Sequence, residues 1–309
     1  HWGDKTIVME HLINKATVLL EALPYIQKFN GATFVVKYGG SFMDSPDESV
    51  RQGVARDVVF LEAVEINPVV VHGGGKAISR AMKAEGLLPR FEQGHRVTDE
   101  KAVQLVHEVL SHQINPEIVK TINALGGVAR GFSGTEIFKC HRKLVDGPHG
   151  DQIDIGYVGE VVEVNTKPLL ECIANGVTPV ISPTAIGEDG HIHNCNADIA
   201  AAVTATSLKA KRLVFMSDVP GLLQDPENPD SLISHLRVQD VAVLKQKGII
   251  GASRYFPSSL SPGLQLAAAA AARRVRPSTC NSAPPSSSAS PTSPSPCPHR
   301  LSALSPWST

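Results

Sequence analysis

Two glycine-rich stretches combine residue types suited to an anion. The first, Val35-Val36-Lys37-Tyr38-Gly39-Gly40, ends an apolar run that begins at Thr33 and Phe34. A buried strand there puts Lys37 at its carboxyl end and frees the backbone beyond it at Gly39 and Gly40. The lysine offers a mobile positive charge, and glycines let N–H groups approach a phosphate closely. The second is a β-branched run, Pro68 to Val71, leading into His72-Gly73-Gly74-Gly75-Lys76 and a helical segment from Ala77 to Glu85. A triple glycine between strand and helix puts unhindered amides at a helix N-terminus, where the dipole favours an anion. A tight turn for close packing is the alternative. It is not a Walker A loop, because Ala77 follows Lys76.

Two further elements carry polar chemistry. Arg96 sits in Gly94-His95-Arg96-Val97-Thr98-Asp99; arginine grips a carboxylate through two parallel hydrogen bonds, which lysine cannot do. A plain surface arginine is the alternative. Asn194, Asn196 and Asp198 cluster where a strand passes into an Ala-rich helix, Ile199 to Leu208. Such groups are costly to bury unless paired. Helix capping accounts for one of them, and three suggest a site. No metal site is expected: His191 and His193 are the only tight histidine pair and read as the polar face of a hairpin beside Asp189-Gly190.

The elements that must position these residues alternate. Ile7 to Phe29 reads as an amphipathic helix with Val8, Leu12, Ala16, Leu19, Leu23 and Ile26 on one stripe, kinked or ended by Pro24. It is either a packing helix or an oligomerisation arm. Helices follow at Asp47–Glu65 and from a Thr98 or Asp99 cap to Ile114, with a bend at Pro116 and a continuation to Ala124. Residues 128–164 read as short strands and turns, Thr178–Ser182 and Arg212–Met216 as strands, and Val238–Lys247 as a helix. That alternation implies an α/β fold with a mainly parallel sheet covered on both faces.

Composition narrows the function classes. Of 29 basic side chains, five are arginines beyond Gly251, where no acid occurs; residues 1–251 therefore hold 24 basic against 30 acidic groups. An acidic body argues against nucleic acid as the main partner. The five scattered cysteines lack a C-x-x-C and fit free thiols in a reducing compartment. No apolar run is long enough to span a membrane.

In order and spacing, Lys37–Gly40, His72–Gly75, Gly94–Asp99, Asn194–Asp198 and Ser217-Asp218-Val219-Pro220-Gly221 resemble the amino-acid kinase superfamily. The Arg-Val-Thr-Asp and Asn-x-Asn-Ala-Asp elements resemble the N-acetylglutamate kinases in particular. Leu20-Glu21-Ala22-Leu23-Pro24-Tyr25-Ile26 is similar to the arginine-sensitive, hexameric branch of plants, algae and many bacteria. The resemblance implies a three-layer αβα sandwich and ATP-dependent phosphorylation of the side-chain carboxylate of N-acetyl-L-glutamate, in arginine biosynthesis. It divides the chain into an N-terminal oligomerisation helix (1–30), an acidic-substrate half (about 31–175) and a nucleotide half (about 176–251). It implies that Lys37 contacts the transferring group and that Gly40 and Gly74 offer it amides. Gly74, Gly75, Arg96, Asn194 and Asn196 would hold the acid, and Asp198 would orient the lysines. Gly39, Gly40 and the stretch Asp218, Val219, Pro220, Gly221, Leu222, Leu223 would line the nucleotide pocket, with magnesium carried on ATP. Homo-oligomers, a PII signalling partner, arginine as an inhibitor, and a plastid or otherwise cytoplasmic location also follow from the resemblance alone.

The family pattern continues after the Val238–Lys247 helix with a Gly-Gly-Met-x-x-Lys-Val type segment. This chain reads Gly248-Ile249-Ile250-Gly251-Ala252-Ser253-Arg254 and has no lysine after Lys247. Residues 252–309 are rich in Ser, Pro, Ala and Arg and read as a disordered tail, either an out-of-frame or mis-spliced ending or a variant one. Impaired turnover is the consequence expected from the missing charge. A kinase of the aminoadipate type and a non-catalytic subunit of a kinase hexamer remain as alternatives.

Overall fold

The computed structural model describes residues 2–39, 47–147, 151–216, 221–225, 228 and 230–246. All of them fall in one unit, residues 1–274. The first elements are α1 (Trp2–Phe29), β1 (Thr33–Tyr38), α2 (Glu48–Ala63), β2 (Asn67–His72), α3 (Gly75–Ala84), β3 (Phe91–Glu92) and β4 (His95–Arg96). Next come α4 (Glu100–His107), a π-helical stretch (Glu108–Ile114), α5 (Asn115–Ala124), β5 (Ala129–Phe132), α6 (Gly134–Ile137), β6 (Phe138–Asp146) and β7 (Gln152–Val164). The chain continues with α7 (Lys167–Ala174), β8 (Thr178–Ile181), β9 (Thr184–Gly187), β10 (Ile192–Cys195), α8 (Ala197–Ser207), β11 (Arg212–Met216) and α9 (Val238–Gln246).

β-Branched runs flanked by glycine and proline give buried strands, and five of them form one sheet in the order β11-β1-β2-β8-β5. Every neighbouring pair in it is parallel. Side-chain alternation builds the two helical layers. Val69 and Val71 of β2 pack with Leu169 of α7 and Ile199 to Ala202 of α8. Val70, between them, turns to the other face and packs with Val58, Ile78, Val106, Leu110 and Ile118. The result is the expected three-layer α/β/α arrangement around a parallel sheet.

Residues 128–164 do not form only short strands. β6 and β7, of 9 and 13 residues, pair antiparallel and close a four-stranded barrel with β9 and β10. Register shifts at Lys139/Cys140 and Arg142/Leu144 break the period-two pattern that would otherwise mark long strands. The polar-face reading of His193 is also corrected. The residue is wholly buried, because His193 and Cys195 point inward from β10 while Ile192 and Asn194 are only half-buried.

Helix α1 contains Pro24 without ending there. Its last turn is docked, with the Phe29 ring edge-on to Phe34 at 5.3 Å and the Arg212 guanidinium 4.7 Å from it. Docking of this kind offsets the hydrogen bond that proline removes. Farther up the helix, Ile13, Leu19, Leu20, Leu23 and Tyr25 are exposed. No helix among the described residues is long and apolar enough to cross a membrane. The expected tail, residues 252–309, lies outside the described residues.

Candidate active site

The sheet's carboxyl edge collects the first set of residues. In register, Tyr38 lies level with His72 of β2 and Met216 of β11, so three strands end together. The Gly73 amide donates to the Tyr38 carbonyl at 2.8 Å, which joins the two glycine turns. Ligands of open α/β sheets bind outside this edge.

Lys37 shares the sheet face of Val35, which α8 covers. Asn196 caps α8, its Oδ1 accepting from the amides of Asp198 at 2.8 Å and Ile199 at 3.2 Å. The cap places Asp198 in the first helical turn, with Oδ1 3.0 Å from Lys37 Nζ. The two side chains remain 20% and 34% exposed, so the pair contributes little to stability. It holds the ammonium at the start of α8. Asn196 has committed its acceptor to the cap, which leaves its amide hydrogens for any ligand. Asn194 lies on β10 opposite Thr184 and Val158, two residues before the cap.

Gly74 is the N-cap of α3 and is buried. A Cβ there would stand 2.6 Å from Leu110 Cδ2 and 2.7 Å from Ile114 Cδ1. A side chain here would displace the tips of Leu110 and Ile114, and the helix amides begin at the same place. Gly75 is exposed, with open space around it.

Arg96 comes from the β3–β4 hairpin, where it pairs with Phe91. Its guanidinium lies 4.7 Å from the Phe91 ring centroid. Nη2 donates to the Gly75 carbonyl at 3.1 Å and to Ser79 Oγ at 2.9 Å, and Nη1 reaches Met82 Sδ at 3.4 Å. Thr98 anchors this loop. Its Oγ1 donates to the Arg96 carbonyl at 2.8 Å, its amide donates to Ile155 O at 3.0 Å, and its carbonyl accepts from Tyr157 N at 2.7 Å. Gly156 has φ +82°, and a Cβ there would strike the Thr98 carbonyl. Asp99 caps α4 by accepting from Ala102 N at 2.8 Å.

The electrostatics of Arg96 are unusual. It is 8% exposed, its partners are neutral, and it makes no ion pair among the described residues. Burial alone pushes its pKa below the ordinary arginine value, yet a guanidinium stays charged at neutral pH. Arg96 lines a cavity of about 490 Å³ with Gly75, Lys76, Ser79, Arg80, Lys83 and Phe91. That wall has four cationic side chains and, among the described residues, no carboxylate, an environment that suits an anion.

Some expected residues cannot be placed: Gly40, Asp218, Val219 and Pro220 lie outside the described residues. Gly39 is buried just past β1. Gly221 has φ +138°, the Leu222 carbonyl accepts from Ile233 N at 2.8 Å, and Leu223 bridges Leu232. Several residues were not expected. Ser79, one helical turn beyond Gly75, is detectable by i,i+4 spacing. Phe91 and the Gly156 contact have no such signal. No group of three or more potential metal ligands occurs among the described residues.

The sequence pattern of the amino acid kinase family matches residues 32–275. An acetylglutamate kinase of Caldanaerobacter subterraneus is 45% identical over 240 residues, 77% of this chain and 78% of that protein. One from Methanocaldococcus jannaschii is 44% identical over 248 residues, 78% of this chain and 82% of its own. Among solved structures, smu.665 from Streptococcus mutans aligns with a TM-score of 0.60 at 21% identity, over 76% of this chain and 89% of that one. An N-acetylglutamate synthase from Neisseria gonorrhoeae aligns with a TM-score of 0.63 at 21% identity, over 82% of this chain and 54% of that one. These two structures share the fold.

Proposed function

The chain belongs to the amino acid kinase family, a family of phosphotransferases, and we propose that it moves the γ-phosphoryl group of ATP to the side-chain carboxylate of N-acetyl-L-glutamate, for arginine biosynthesis. The observation that carries this reading is Arg96: a buried guanidinium with no carboxylate partner among the described residues, facing a cationic cavity. It suits the α-carboxylate of an acyl amino acid, which a planar fork binds through two hydrogen bonds. Relatives named acetylglutamate kinase support the choice of acid.

The nucleophile is a carboxylate already ionised at neutral pH, so no general base is required. The difficulty is bringing one anion to another, and catalysis lies in positioning and charge neutralisation. Lys37, aimed by Asp198, meets the transferring oxygens. Gly74 and Gly40 offer amides, Gly75, Asn194 and Asn196 complete the acid site, and residues 218–223 border the nucleotide. Magnesium arrives on the ATP phosphates as part of the substrate.

Two finer features belong to the same reading. The stretch Gly248 to Pro257 has no lysine, where the family resemblance implies a second cation at the phosphoryl group. Turnover is therefore lower by roughly 100- to 1000-fold than in a relative that holds both charges. This same gap favours a second reading, a non-catalytic subunit that binds both substrates. The exposed Leu19, Leu20 and Leu23 of α1 suit a homo-oligomeric contact. The direct test is trapping of acyl phosphate with hydroxylamine, run beside the Caldanaerobacter relative. Slow product from N-acetylglutamate supports the reading. Binding without product supports the subunit, neither binding nor product refutes both, and a rate equal to the relative's refutes the impairment.

A further inference from the structure

His72 precedes the triple glycine and touches no solvent. Its Nδ1 lies 3.0 Å from the Gly73 carbonyl and its Nε2 lies 3.2 Å from Asn115 Nδ2. Asn115 is also buried, at the junction of the π-helical stretch and α5. Its Nδ2 also donates to the Val180 carbonyl at 2.9 Å. A backbone carbonyl can only accept, so that bond fixes which end of the Asn115 amide faces inward. Nδ2 also lies 3.5 Å from the Phe132 carbonyl; an amide nitrogen donates and cannot accept, so His72 Nε2, facing it, serves as the acceptor. The proton of the neutral imidazole is left on Nδ1, where it donates to Gly73.

This places a specific restraint on the turn. The Gly73 amide is held by the Tyr38 carbonyl at 2.8 Å, and the Gly73 carbonyl is held by His72. Across a planar trans peptide, C=O and the following N–H point in opposite directions. Holding the Gly73 carbonyl therefore aims the Gly74 N–H. Leu110 and Ile114, on the π-helical stretch that leads into Asn115, fill the space beside Gly74 that a side chain would take.

We propose that His72, as the Nδ1-protonated tautomer set by Asn115, is a positioning residue that orients the Gly74 amide toward the transferring phosphoryl group. The inference rests on the phosphoryl-transfer reading above. It assigns His72 no contact with substrate and no proton transfer. Its contribution is to a donor that acts in the transition state, so ground-state nucleotide binding is left nearly untouched.

Two measurements on the full-length chain test it. Long-range nitrogen–proton NMR correlation at pH 7 reads the tautomer directly; a proton on Nε2, or on both nitrogens, overturns the proposal. Calorimetry then compares MgADP with MgADP plus tetrafluoroaluminate and N-acetylglutamate, a mimic of the transferring state. In H72Q, which cannot place a donor at the Nδ1 position, the mimic binds roughly 10- to 100-fold more weakly while MgADP is unchanged. In H72N, whose amide can occupy the Nδ1 position, binding of the mimic stays within about threefold of wild type. Equal losses in H72N and H72Q, losses shared by MgADP, or no loss in either variant overturn it. Wild-type chain that binds neither nucleotide form overturns the phosphoryl-transfer reading and this inference with it. That failure is recognisable because it precedes any substitution.

Discussion

Lys37 and Arg96 are both cations beside a glycine turn, and the fold treats them in opposite ways. Lys37 is half-buried and already paired, 3.0 Å from Asp198. Arg96 is buried against Phe91 and, among the described residues, hydrogen-bonded to neutral acceptors only. A paired, partly solvated ammonium costs little to hold and has no standing demand for an anion. It suits a group whose charge develops during reaction. A buried guanidinium without a counter-charge is unfavourable until an anion arrives. It suits ground-state capture of a permanent carboxylate. In the proposed function the two sites divide the work into transfer and binding, a division that kinetics can separate.

The largest effect should come from K37M. Turnover should fall roughly 100- to 1000-fold while binding of N-acetylglutamate is unchanged, because the proposed contact is made in the transition state. A weakened binding of the acid with equal loss of turnover would erase the distinction between the two cations.

The support under the glycine turn gives the next effect, on stability. Burial pushes the His72 pKa down to about 4, and the Gly73 carbonyl opposes this only in part. The unfolded chain binds a proton near pH 6.5, so between these values the unfolded state holds more protons and stability rises with pH. The neutral imidazole's contribution is complete above pH 6.5 and is lost as pH falls toward 4, on the order of 3 kcal/mol in all. Chemical denaturation from pH 7 to pH 4.5 should show this slope in wild type and lack its share in H72N.

Sharpening the comparison from the other side, R96K should weaken acid binding roughly 30- to 100-fold and leave nucleotide binding intact. Lysine restores the charge without the planar fork, so a conservative charge does not rescue the site. D198N should have the smallest effect, about tenfold in turnover. Asparagine can still accept from Lys37 but no longer anchors it by charge.

How far each cation is legible in sequence follows from the distances involved. Lys37 and its glycines are contiguous, and β-branched residues before them announce the strand. The Asn196 cap and the Asp99 cap are local too, within three residues of the amides they satisfy. The Lys37–Asp198 pair is not local; only the resemblance to a family suggests that these residues meet. Asn115 reaches His72 across 43 positions, and its amide has no local signature. Gly156 looks like any turn glycine until Thr98 is packed against it. The long strands β6 and β7 are hidden by their own register shifts. Local chemistry thus reads directly, while contacts made by tertiary packing do not.

The division of labour is tested most directly by calorimetric titration of N-acetylglutamate into wild type, K37M and R96A as full-length chains. Wild type and K37M should bind alike, and R96A should bind at least roughly 100-fold more weakly. Equal binding by all three, or a loss confined to K37M, would contradict the account.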